Sequence, residues 1–158
     1  MDLELDNKVF MNKELLRIND LLKKTFDREF HNIFSESESQ DYSATELQLD
    51  SLILKSRIAK TTPKKVGLFV TLWKRNAENI TEPLHENDIL DYCIIITEQE
   101  ENFGFFLFPK SILCQKGILS CNNKEGKRGF RVYPDWSKTE NKQAIKTQIW
   151  QSEFFLNL

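Results

Sequence analysis

Cysteine, histidine, glycine and proline are all scarce in this chain of 158 residues, at three, two, five and four copies. Cys93, Cys114 and Cys121 are odd in number and lack CxxC spacing, which favours reduced thiols over a disulfide frame or a zinc site. His31 and His85 stand alone, with no HExxH and no Cys/His cluster, so structural zinc is not expected. Glu125-Gly126-Lys127-Arg128 falls short of a phosphate loop, because Cys121 and Arg128 stand where a glycine and a Ser/Thr are needed. No GxSxG nucleophile turn occurs. Long apolar runs are also missing. The longest, Phe103 to Phe108, is far below the roughly 20 residues of a membrane span. The acidic start, Met1-Asp2-Leu3-Glu4-Leu5-Asp6, has no apolar stretch of the secretory kind. These absences point to a cytoplasmic protein with no membrane contact, no bound metal and no cofactor.

What is present is ordinary in amount and unusual in arrangement. Hydrophobic content of 40% and aromatic content of 11% suit one folded domain over residues 1–158. A net charge of −2 hides an alternation of blocks. Residues 51–77 carry seven cations (Lys55, Arg57, Lys60, Lys64, Lys65, Lys74 and Arg75) and no acid, while residues 78–109 carry eight acids and no Lys or Arg. Residues 110–133 are basic again, with Lys110, Lys116, Lys124, Lys127, Arg128 and Arg131 against Glu125. Such blocks make local fields that the average conceals.

Periodicity predicts a helix over about 12–30, capped by Asn12, with Leu15, Ile18, Leu22, Phe26 and Phe30 on one face. The polar stretch at about 35–42 reads as a mobile loop. Short alternating segments at 44–49 and 52–58 read as strands, and after Pro63 the β-rich run 67–73 resumes the sheet. Residues 92–97 and 103–108, apolar on both faces, read as a central hairpin. A short helix follows over 109–115, then a strand over 130–133. Ser137-Lys138-Thr139-Glu140 has capping-box spacing and predicts a last helix from Ser137 to about Phe155. The fold class is α/β (α+β), one central mixed sheet flanked by helices.

The first basic block mixes cations with Thr62-Pro63-Lys64, a turn able to offer backbone N–H groups, and with Trp73, a flat face for an unstacked base. Its bland alternative makes Phe69 and Trp73 core and the cations solvated. The second block repeats the recipe with Lys127, Arg128, Arg131, Tyr133 and Trp136; the bland account there is a hairpin with a basic tip. Lys138, Lys142, Lys146 and Trp150 recur at four-residue steps, one ridge of the last helix. Asp88 and Asp91 before a strand, and Glu98, Glu100 and Glu101 after it, are the acids that could hold a divalent metal.

Four ordered segments carry a family resemblance. They are Arg57-x-Ala59-Lys60-x-Thr62-Pro63-x-Lys65-x-Gly67-x-Phe69-Val70-x-x-Trp73-Lys74-Arg75; Phe106-x-Phe108-Pro109-Lys110; Glu125-Gly126-Lys127-Arg128-x-x-Arg131-Val132-Tyr133-Pro134-x-Trp136; and Asn141-Lys142-Gln143-Ala144-x-Lys146-x-Gln148-x-Trp150-Gln151. Together they resemble the MepB family of small bacterial proteins, from about residue 40 to the C-terminus. The resemblance implies a restriction-endonuclease-like, PD-(D/E)XK core, nucleic-acid binding (RNA or single-stranded DNA before duplex), and a link to antimicrobial response. In that core an Asp, an acid two residues before a Lys, and the Lys itself sit on adjacent strands. The nearest match is Asp91 with Lys110, where Phe108 replaces the acid. A phenyl ring cannot ligate Mg²⁺, which points to a pseudo-nuclease rather than an enzyme.

The leading expectation is therefore a nucleic-acid binder using Arg57, Lys60, Thr62, Lys64, Lys65, Lys74, Arg75, Lys127, Arg128, Arg131, Lys142 and Lys146 for phosphates, with Trp73, Tyr133 or Trp136 for bases. The alternatives are an Mg²⁺-dependent nuclease using Asp91 and Lys110, and a module for an anionic small molecule or a protein. Oligomeric state is not legible, nor is whether the two basic blocks share a surface.

Overall fold

The computed structural model describes residues 11–158, and all that follows concerns those residues. Helix α1 (Lys13–Phe26) starts as expected, with the Asn12 side chain accepting from Leu15 N–H at 2.7 Å. It stops four residues short of the expected Phe30. Asp27 turns left-handed (φ 55°), and its N–H closes back on Leu22 and Lys23. Phe30 stays in the core because its N–H donates to the side chain of buried Asn19. Phe26, expected on the apolar face, is exposed.

Eleven strands follow among the described residues: β1 (His31–Ser35), β2 (Thr45–Leu49), β3 (Leu52–Ile58), β4 (Lys60–Thr61), β5 (Leu68–Thr71), β6 (Trp73–Arg75), β7 (Thr81–Pro83), β8 (Tyr92–Gln99), β9 (Asn102–Pro109), β10 (Gly129–Val132) and β11 (Phe155–Asn157). Two short helices, α2 (Lys110–Gln115) and α3 (Lys142–Ser152), complete the set. The large sheet runs β1-β2-β3-β8-β9-β11. Its pairs are antiparallel except β3–β8, so the sheet is mixed as expected. The parallel step needs a crossover, and here the crossover has become a second layer. It supplies β4 and β5, which join β10 as a three-stranded sheet, and the β6–β7 ribbon. The single expected sheet is thus three. The run 67–73 splits between two of them at buried Leu72, whose N–H turns to Arg128 C=O at 2.9 Å.

Each face of the large sheet has its own core. On one face α1 sets Leu15 and Ile18 against Leu47, Leu54, Ile94, Ile96, Phe103 and Phe105. On the other, Cys93, Ile95, Phe106 and Phe108 meet Leu68, Val70, Phe130 and Val132 of the small sheet, with Leu113 of α2. Phe108 is fully buried and touches the rings of Phe106, Phe130, Trp150 and Phe154, with centroids 5.2–6.4 Å away.

The stretch read as a mobile loop closes β1 with Ser35 and then forms a 3-10 turn, Gln40–Tyr42. Buried Ser39 there bonds the hydroxyl of Thr71. The last helix begins at Lys142, not Ser137, because Asn141 is the cap that bonds, to Ala144 N–H at 2.8 Å. Cys114 and Cys121, expected as free thiols, are joined by a disulfide, leaving buried Cys93 as the free one. The loop path that brings them together cannot be read from a spacing of seven. No helix among the described residues is long and apolar enough to cross a membrane.

Because Phe108 joins the two layers, its truncation should cost what a large core aromatic costs. Phe108→Ala is expected to lower unfolding free energy by about 3–5 kcal/mol in urea denaturation. A loss below about 1 kcal/mol would show that the layers are held elsewhere.

Candidate nucleic-acid interface

The small sheet buries one side and presents the other. Leu68, Val70, Phe130 and Val132 point into the core, so strand alternation turns Phe69, Thr71, Gly129 and Arg131 outward. Pairing then aligns residues far apart in sequence. Phe69 of β5 faces Arg131 of β10 on one side and Lys60 of β4 on the other. The two basic blocks therefore meet on one face, joined by main-chain hydrogen bonds.

That face is both aromatic and cationic. The Arg131 guanidinium lies 6.0 Å from the Phe69 ring centre, and its N–H groups are held by Thr62 Oγ1 and Val66 C=O. Lys60 sits 5.0 Å over Tyr42, whose ring meets Phe69 edge-on. The Phe69 ring lies directly over Gly129, where a Cβ would come within 2.5 Å of the ring tip. Beyond the sheet's end, Phe69, Thr71, Trp73, Thr81, Arg128 and Gly129 line a pocket of about 210 Å³. Arg75 stacks on Trp73 at 5.1 Å, while Arg128 bonds Thr81 C=O and Glu125. In the β4–β5 turn Gly67 takes φ +81°, packed against Tyr133, and exposed Lys64 and Lys65 carry no hydrogen bond or ion pair.

Several expected contacts are corrected. Arg57 cannot reach a phosphate, because its side chain is fully buried and ion-paired to Glu36 at 3.3 Å. Lys74 is spent on Asp88 at 2.6 Å. Trp136 is held by Gln99 and packed on Phe155, and Tyr133 covers Gly67, so neither ring is a free base platform. Lys127 lines a cleft of about 370 Å³ between β10 and α3, with Lys116, Trp150 and two residues of the sheet face, Gly129 and Arg131. Lys146 lines the adjoining cleft, and Lys142 stands exposed at the start of α3.

Phe69, Tyr42 and Thr71 were missed in the sequence as face residues. The alternation Leu68-Phe69-Val70-Thr71 carried the signal for two of them, but the run was read only as β-rich, with no face assigned to its residues.

The acids are placed differently from a nuclease centre at Asp91 and Lys110. Asp91 Oδ2 accepts from Ile53 N–H at 2.8 Å, and the Lys110 ammonium donates to the Asp88 carbonyl. Both serve as ties between chain segments. An acid and a lysine on adjacent strands do occur, at Glu46 and Lys55, in register and 3.6 Å apart. There the residue two before the lysine is Ile53, again no carboxylate. Lys55 also pairs with Glu36, which shares Arg57. The acids in this cluster each have a cation of the protein's own. For Asp88, burial raises the carboxyl pKa, but the Lys74 hydrogen bond, the His85 N–H and the charges of Lys74 and Lys55 outweigh it, leaving the value below the ordinary one.

Residues 36–157 match the model of the MepB-like family. A crystal structure of MepB is 41% identical, with a TM-score of 0.81, covering 93% of this chain and 97% of that one. A bacterial homing endonuclease matches at 12% identity and a TM-score of 0.44, covering 98% and 94%, a likeness too low to carry weight. No curated protein is significantly similar in sequence.

Removing one partner of the buried pair should be costly. Glu36→Ala leaves Arg57 buried and short of its counter-charge, for an expected loss of about 3–5 kcal/mol, most of it recovered in Glu36→Ala/Arg57→Met. A double variant no more stable than the single would contradict this. Asp88, held below the usual carboxylate value, contributes stability that is complete above about pH 4 and is lost as pH falls through its folded value. Asp88→Asn should flatten the acid limb of the stability curve, measured by thermal melts from pH 2 to 6.

Proposed function

We propose, for a chain that belongs to the MepB-like family, that the outer face of its three-stranded sheet binds single-stranded nucleic acid without cutting it. One observation carries this reading: the pairing of β5 with β10 and β4 sets Phe69, and beside it Trp73, among Lys60, Arg75, Arg128 and Arg131. Single strands expose unstacked bases that settle on aromatic rings, while cations around the rings take the phosphates. The shape of the surface supports this ligand class. A flat sheet with recessed rings offers no helix or ribbon to enter a duplex groove, but it suits splayed bases, as in RNA or single-stranded DNA.

Phe69 supplies the central platform, and Trp73 with its stacked Arg75 the second. Arg131, fixed by Thr62 and Val66, and Arg128, fixed by Thr81, grip phosphate as rigid forks. Lys60, Lys64 and Lys65 extend the track along the β4–β5 turn. The scaffold has an acid and a lysine on adjacent strands, Glu46 and Lys55, in the manner of a nuclease. Cation pairing of Glu36, Glu46 and Asp88, with Ile53 at the second acid position, favours binding over hydrolysis. A cytoplasmic location goes with such a ligand.

The test is fluorescence anisotropy with labelled single-stranded RNA and DNA at several salt concentrations. With about six phosphates engaged, affinity should fall roughly 10²–10³-fold between about 50 and 200 mM salt. Phe69→Ala and Trp73→Ala should each cost about 1–3 kcal/mol, and reversing Arg128 and Arg131 should abolish binding. Affinity that ignores salt and survives these changes would overturn the reading. Cleavage of the probes in Mg²⁺ or Mn²⁺ would make the protein an enzyme instead.

A further inference from the structure

The disulfide lies apart from the sheet face, and the groups around it have a chemistry of their own. Cys114 is in the last turn of α2, Cys121 in the loop after it, and Glu86 just beyond β7. The ligating atoms of all three side chains lie within 4.8 Å of one another. We propose that, once the disulfide is reduced, Cys114, Cys121 and Glu86 form a binding site for a zinc-class divalent cation.

The site is built by the main chain and does not depend on the sulfur–sulfur bond. At the end of α2, Lys116 N–H bonds Ile112 C=O and Gly117 N–H bonds Cys114 C=O, with Gly117 left-handed at φ +71°. Ile118 and Leu119 then both donate to Leu113 C=O, folding the loop back onto the helix. Cys121 and Lys124 exchange N–H···O=C bonds at 3.1 and 2.9 Å, which closes the turn that holds the second sulfur. Glu86 is delivered by a third segment. Its N–H donates to Ser120 C=O at 3.0 Å, and Ser120 N–H donates to Leu84 C=O at 2.8 Å. Breaking the disulfide therefore leaves two thiols facing each other with a carboxylate alongside.

The donor set selects the ion. Two thiolates and one carboxylate suit a tetrahedral, borderline-soft cation such as Zn²⁺ and are poor ligands for Mg²⁺ or Ca²⁺. Three protein ligands leave a fourth position for water, and the site is reachable. Cys114 and Cys121 line a cleft of about 660 Å³ that also holds Lys116, Lys124, Lys146 and Trp150. Nothing competes for Glu86, whose carboxylate has no hydrogen bond or ion pair. Cys93 does not take part, because burial pushes its thiol up to about 12, against the opposing charges of Arg57 and Lys55, so it stays protonated.

The chemistry balances with a dithiol reductant. The Cys114–Cys121 bond breaks, each sulfur gains an electron and a proton, and the reductant's two thiols become its own disulfide. Metal entry then releases both cysteine protons and forms two metal–sulfur bonds. In a reducing compartment the thiol form is the one present, and the chain alternates between a disulfide and a metal-thiolate form.

Co²⁺ titration of the full chain, with Zn²⁺ as competitor, tests this directly. The reduced protein should show thiolate-to-cobalt charge-transfer absorption with tetrahedral d–d bands, saturate at one ion per chain, and lose both on adding Zn²⁺. The same chain in its disulfide form should show neither, a comparison that needs no variant and no refolding. Glu86→Gln should weaken binding by about tenfold or more, Cys114→Ser should remove the charge-transfer band, and Cys93→Ala should change nothing. Equal binding by oxidised and reduced protein overturns the proposal, as does a band that persists in Cys114→Ser/Cys121→Ser. Reduced protein that gives no thiolate band does so too. None of these outcomes bears on the sheet face, which is tested by nucleic-acid affinity.

Discussion

The position of the β10-β5-β4 face depends on how the small sheet is seated on the large one, and Phe108 does that seating. Its ring has no solvent exposure and joins β9 to β10 through Phe130, to α3 through Trp150, and to the chain after α3 through Phe154. Interiors pack densely enough that a ring of this size fixes its neighbours to within fractions of an ångström. The row Glu46–Lys55–Cys93–Phe108 crosses four adjacent strands in register. At one end of that row are charges, at the other a packed aromatic. An acid in place of Phe108 would be buried among the rings of Phe106, Phe130, Trp150 and Phe154, a penalty of several kcal/mol. Phe108 is thus the residue the two-layer architecture requires.

The charge blocks have an explanation in the same architecture. Strand alternation sorts the first block, residue by residue, into two destinies. Lys55 and Arg57 on β3 point between the layers and are neutralised by Glu36 and Glu46. Lys74 on β6 crosses to Asp88 and Glu82, members of the acidic block. Lys60, Lys64, Lys65 and Arg75 remain outward. Charge counting along the sequence cannot separate these groups, because it sees residue type and not direction. The acidic block is, in part, the internal counter-charge of the basic one.

Legibility in the sequence followed how local the determining interaction was. The β8–β9 hairpin was readable because both strands are apolar on both faces and their pairing spans a short polar turn. The start of α1 was readable from Asn12, a cap three residues from its acceptor's partner. What failed was decided at a distance. The end of α1 depends on Asn19 reaching Phe30. The start of α3 depends on Asn141 prevailing as cap while Gln148 takes up the carbonyls of Pro134 and Ser137. The two-residue strand β4 exists only because β5 lies beside it. Of the cations expected to take phosphates, Lys60, Arg128 and Arg131 lie on the face of the small sheet, whereas Arg57 and Lys74 are taken up by pairs that no spacing rule predicts.

The same distinction separates the sheet face from the buried charge cluster. Cations alone are a weak warrant for nucleic-acid binding, since most surface lysines are simply solvated. What distinguishes the β10-β5-β4 face is that its cations are held by groups other than carboxylates. Arg131 is braced by a hydroxyl, a carbonyl and a ring, and Lys60 by a ring. These partners orient a positive charge without cancelling it, so the cost of ordering the side chain is met before any ligand arrives. Arg128, which does have Glu125 within 3.4 Å, is an exposed pair that a phosphate can displace at small cost. The buried cluster around Glu36 is the opposite case, with Lys55 and Arg57 each paired to a carboxylate. The uncancelled cations therefore lie on the outside of the small sheet, and the interior charges belong to stability.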